Sequence, residues 1–123
     1  MMQSRSRTSE SSRKELERLY TQFRRSKFPG SGSQRETDLL HTLMIQYEAE
    51  IGLGVKGILE DPKSVDPSGI QEDEEIQLEI DRLVSAYPAE DEVGRIARNY
   101  ADYYDRIKEL IHAAHSYLDS LTR

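Results

Sequence analysis

A chain of 123 residues, with 36% hydrophobic and 33% charged side chains and a net charge of −6, has room for one core and not two. It contains no cysteine, which excludes a disulfide framework, a thiolate zinc site and a cysteine nucleophile. No run approaches the length that spans a membrane, and the start MMQSRSRTSESSRKE lacks the apolar stretch of a secretory signal, so a cytoplasmic protein with no membrane partner is expected.

The charge is unevenly placed. Residues 1–35 carry nine Lys or Arg against three acids, a balance of +6, while the other 88 residues carry eight bases and twenty acids, a balance of −12. A basic segment attached to an acidic body either lies on that body or is offered to an anionic partner. The first alternative needs no partner and is the preferred expectation.

Residues 1–11 are rich in Ser, Arg and Thr, with only Met1 and Met2 apolar, and read as a disordered basic arm ahead of a single helical domain over 12–123. Ser12 and Glu15 have capping-box spacing and open a first helix bearing Leu16, Leu19, Tyr20 and Phe23 on one face. It ends near Phe28, before Pro29 and Gly30. Its bases Arg13, Lys14, Arg18, Arg24, Arg25 and Lys27 form the candidate partner-binding segment.

Ser33 and Glu36 repeat the capping-box spacing. A second helix over 34–60 then places Leu39, Leu40, Leu43, Met44, Tyr47, Ile51, Val55 and Ile58 within one broad face. Gly52, Gly54 and Gly57 spell G-x-G-x-x-G, but no βαβ context surrounds them, and Glu48 and Glu50 would repel a pyrophosphate. Three glycines inside a helix cost about 1 kcal/mol each relative to alanine, so the helix either bends here or admits a close neighbour. Glu50 falls on the apolar side, where a carboxylate needs a tyrosine hydroxyl or an arginine. Residues 47–57 are the candidate functional irregularity.

Asp66 before Pro67 is a helix entry, and the acids from Glu72 to Glu75 suit the positive end of a third helix carrying Ile76, Ile80, Leu83, Val84 and Tyr87. Pro88 ends that helix and starts a fourth, 89–122. There Val93, Ala97, Tyr100, Tyr104, Ile107, Ile111, Ala114, Leu118 and Leu121 alternate in steps of four and three, with Ile96, Tyr103, Leu110 and Tyr117 alongside. The fold class is all-α: a four-helix bundle of two long and two shorter helices. At 1.5 Å per residue the fourth helix is about 50 Å long, too much surface for the other three to cover. Tyr100, Tyr103, Tyr104 and Tyr117 are therefore expected at an interface with a second copy, in a homodimer.

Candidate chemistry is sparse. Glu109 with His112, and Asp38 with His41, have the spacing of diiron carboxylate bundles, but both pairs fall outside the apolar arcs, whereas such ligands project into the core. No metal site and no cofactor are expected. Glu72 and Glu75 with Asp102 and Asp105 resemble the paired acidic motifs of MazG-type nucleotide pyrophosphohydrolases, a resemblance that implies magnesium held between two helices. Arg106 and His112, with five residues between them, resemble the arginine and histidine motif of HEPN-type ribonucleases, with Ile107 where that family carries a polar residue. The resemblance implies His112 as general base and Arg106 as the group stabilising a phosphate's developing charge. The leading expectation is a non-enzymatic helical interaction or assembly module that docks to another protein, itself included. The alternatives are a small HEPN-like ribonuclease or nucleotide hydrolase, and nucleic-acid binding through the basic arm.

Overall fold

The computed structural model describes residues 2–29 and 34–122, with side chains from Ser9 onward. Four helices follow one another: α1 (Met2–Arg25), α2 (Asp38–Glu60), α3 (Glu74–Ala86) and α4 (Glu92–Leu121), with single 3-10 turns at Arg35–Thr37 and Pro67–Gly69. No strand occurs among the described residues.

Helix α4 is the element on which the other three lie. Asp91 starts it by accepting a hydrogen bond from the Val93 amide at 2.8 Å. The three-and-four spacing of its apolar residues then turns an unbroken arc inward, from Val93 to Tyr117. Helix α1 runs antiparallel to it: Ser9 Oγ donates to the Ser120 carbonyl at 3.2 Å, and Arg13 Nη1 to the Tyr117 hydroxyl at 3.0 Å, while at the other end the Phe28 ring meets that of Tyr100. Helix α2 runs parallel to α4, with Tyr47 against Tyr104 at 5.8 Å between ring centroids and His41 against Tyr100. Helix α3 is antiparallel again, its start held by Tyr104 and its end by Arg98. The result is an up-down-up-down bundle.

Several expectations need correction. Tyr100, Tyr103, Tyr104 and Tyr117 are buried within the chain and are not an exposed interface. The reason is coverage: α1 is long enough to reach Ser120, so α1, α2 and α3 together close the arc that looked too wide for them. Ser12 lies inside α1 and caps nothing. The arm expected over residues 1–11 falls, for its first eight residues, outside the described side chains, whereas Ser9, Glu10 and Ser11 belong to α1. Ser33 is outside the described residues. Asp66 caps one 3-10 turn only, through Ser68, and α3 begins seven residues later, where Asp73 accepts from the Ile76 amide at 3.1 Å.

Candidate functional site

The inner face of α2 is Leu40, Met44, Tyr47, Ile51, Val55 and Ile58, all buried. Its outer face carries large apolar residues as well. Leu39, Ile45 and Leu53 are 53%, 44% and 72% exposed, and the exposed residues Thr42, Gln46 and Ala49 lie between them. At 100° per residue these positions form one stripe on the side of α2 away from α4. The other exposed large apolar residues among those described, Leu78 and Leu121, stand on other helices. Three large apolar side chains exposed along one side of a helix mark a face still to be covered.

The stripe borders a groove of about 560 Å³ between α1 and α2, lined by Tyr20, Phe23 and Phe28 on one side and Ala49, Gly52 and Leu53 on the other. Tyr103 and Glu48 close its floor, the tyrosine hydroxyl donating to Glu48 Oε2. Gly52 lets the walls come close, and Gly54 and Gly57 do the same for the segment between α2 and α3. A Cβ on Gly52 would stand 3.2 Å from the Phe23 ring, one on Gly54 3.0 Å from Ile70 Cγ1, and one on Gly57 2.8 Å from Val65 Cγ2. Helix α2 is continuous across all three, so the glycines admit close neighbours and no break occurs. Glu50, expected on the apolar side, is exposed. It lies 100° around the helix from Ile51, on the outer flank, and the carboxylate with a tyrosine partner is Glu48.

The buried tyrosine hydroxyls are used inside the chain. Tyr47 donates to the Gln71 carbonyl at 2.6 Å, and Tyr104 accepts from the Asp73 amide at 2.8 Å and donates to its carbonyl at 3.0 Å. Tyr100 shares a hydrogen bond with His41, and burial pushes its pKa up to about 12. Burial also raises Tyr47, Tyr103 and Tyr104, with the negative charge of Glu48 adding to the effect at Tyr103. His115 Nε2 donates to the Ile70 carbonyl at 2.6 Å, and no buried side-chain N or O among the described residues lacks a partner.

The basic residues of α1 divide. Arg13 belongs to the bundle: it donates to the Leu59 carbonyl at 2.8 Å and the Tyr117 hydroxyl, and pairs with Glu17 at 2.8 Å. Arg18 pairs with Glu15, and the Arg24 guanidinium stands 5.8 Å from the Tyr20 ring centroid. Lys14, Arg25 and Lys27 are exposed. Among the described residues no ion pair joins α1 to another helix, so the basic segment rests on the body through packing and the hydrogen bonds of Arg13 and Ser9.

Arg106 lies beside Gln22 and Arg25 of α1 and Ser26 just after it, whereas His112 Nε2 is on another flank of α4, 3.6 Å from Glu72 Oε2. The chain does not bring that pair together. Asp105 pairs with Lys108 at 3.3 Å, and no group of three or more metal-ligating side chains occurs among the described residues. His41, placed by its spacing on the polar side of α2, packs instead between Phe28 and Tyr100. No helix among the described residues is long and apolar enough to cross a membrane. Protein-family models, curated proteins and solved structures give no match to the chain.

Proposed function

We propose that this chain is a non-enzymatic helical interaction module that docks to another protein through the outer face of α2. The observation that carries the reading is the stripe of Leu39, Ile45 and Leu53 on a molecule whose other apolar faces are almost entirely packed. Because these side chains are only about half to three quarters exposed, covering each is worth roughly 1–2 kcal/mol, a modest bias toward association. His41, His115 and the buried tyrosines are committed to internal hydrogen bonds and ring contacts, and Arg106 and His112 lie on different flanks. Both facts favour binding over hydrolysis.

The test is a comparison of baits. Full-length protein should retain a partner that Leu53→Asp loses, while the far-UV circular dichroism and melting temperature of the variant stay unchanged, because Leu53 is exposed. A partner retained by Leu53→Asp but released by Lys14→Glu with Arg25→Glu would move the binding surface to α1 and overturn the reading.

A further inference from the structure

We infer that the occupant of the outer face of α2 is a second copy of this chain, packed antiparallel about a two-fold axis near Gln46. The inference rests on the reading of that face as a docking surface and names what covers it.

A two-fold interface uses the same patch twice, so the patch must match itself when reversed. The outer row of α2 and the turn before it meets that condition. Arg35 and Asp38 stand at one end and Lys56 and Glu60 at the other, all exposed. In an antiparallel pair, Arg35 of each copy faces Glu60 of the other, and Asp38 faces Lys56. Moving inward, Leu39 meets Leu53, and Thr42 meets Ala49, leaving Ile45 and Gln46 at the axis. These pairings agree on the axis position to within about two residues, or about 3 Å of helix rise.

A parallel pair would set Arg35 against Arg35, Asp38 against Asp38, Lys56 against Lys56 and Glu60 against Glu60, with like charges opposed at both ends. The antiparallel arrangement also opposes the two helix dipoles. The charges at the C-terminal end are available, since Lys56 Nζ reaches its own Glu60 only at 3.9 Å and both side chains are largely exposed. Thr42 and Ala49 are small enough to let the axes approach to the usual 8–10 Å, with the leucines flanking the contact. One helix row per copy is a modest patch beside the roughly 800 Å² each partner gives to a standard interface, so the dimer is a weak one, with a dissociation constant on the order of 10 μM.

The absence of cysteine makes the arrangement directly testable by disulfide trapping, because each introduced thiol is alone in its chain. Under mild oxidation Gln46→Cys should link to itself. Leu39→Cys and Leu53→Cys should each fail to do so alone but link to one another when mixed. Self-linking of Leu39→Cys and of Leu53→Cys would overturn the antiparallel order. In sedimentation equilibrium the wild type should dimerise at tens of micromolar and Leu53→Asp should stay a folded monomer. Asp38→Lys should weaken the dimer about three- to ten-fold, and Asp38→Lys with Lys56→Asp should recover most of that loss. A wild type that remains monomeric up to several hundred micromolar overturns the second copy as occupant. If Leu53→Asp then still releases a different bound protein, the docking face itself stands, and if it releases nothing, both readings fall.

Discussion

Of the five buried tyrosines, all with hydroxyls held by the chain's own backbone and side chains, four make the core sensitive to alkali. For Tyr47, Tyr100, Tyr103 and Tyr104 burial raises the folded-state pKa above the ordinary value near 10. The folded state therefore holds the proton more tightly than the unfolded chain, and the stability this contributes is complete below pH 10. For Tyr100 it disappears as the pH rises through about 12, and for Tyr47 and Tyr103, which are raised further, only beyond that. Tyrosinate absorbance should accordingly show a late group that ionises together with loss of helical circular dichroism. Ionisation of all seven tyrosines before any loss of helix would contradict this account. Glycine gives a second contrast at this scale. A Cβ on Gly94 would lie 2.0 Å from the Pro88 carbonyl oxygen and 2.7 Å from that of Tyr87, both backbone atoms, whereas one on Gly69 would meet nothing within 4 Å. Gly94→Ala should cost about 3 kcal/mol or more, and Gly69→Ala should be neutral or stabilising by up to about 1 kcal/mol, as read by urea denaturation. Nothing in the sequence around Gly94 announces this role, since a lone glycine after an acidic first turn looks like any other.

Two helices share a device at their C-termini. Neither α2 nor α3 has a basic residue in its last turn, and in each case an arginine from elsewhere satisfies the end carbonyls. Arg13 of α1 reaches Leu59, while Arg98 of α4 donates to Gly94 and Tyr87 at 3.0 and 3.1 Å and lies 3.4 Å from the Val84 carbonyl. Arg98→Ala and Arg13→Ala should each lower stability by roughly 1.5–3 kcal/mol, and Arg98→Lys should recover little, because one ammonium cannot span the carbonyls that the guanidinium fork does. Equal midpoints for wild type and Arg98→Ala in chemical denaturation would remove this role. Such caps join residues far apart in the chain and leave no local pattern, so neither was legible. The periodicity of α4 was legible, and it placed both the helix and its buried arc. The outer row of α2 was hidden by adjacency. Leu39 and Leu40 are 100° apart and cannot both point at α4, yet a broad apolar face absorbs both until packing chooses Leu40. The same choice of phase turned Glu48 inward and left Glu50 outside. Asp66 before Pro67 caps a single 3-10 turn and not α3, because the apolar period of α3 starts only at Ile76.

At the scale of the whole molecule, α1 serves as both wall and counter-charge. Residues 1–28 hold eight of the bases and three of the acids, so the remaining chain carries −11. Deleting them uncovers Tyr103 and Tyr117 and removes Leu16 from the core. Residues 29–123 should therefore show no cooperative thermal transition at neutral pH, and a sharp melt within a few degrees of wild type would refute that dependence. The central position of α4 also sets a schedule. The hydrogen bonds that fix α1 span 104 and 111 residues, and the helix that receives them is the last of the four to be synthesised. At 5–20 residues per second a ribosome needs about 5–20 s to pass from the end of α1 to the end of α4. Through that interval α1, α2 and α3 lack the helix on which their apolar faces close, so the packing that fixes α1 can be completed only after α4 has left the ribosome.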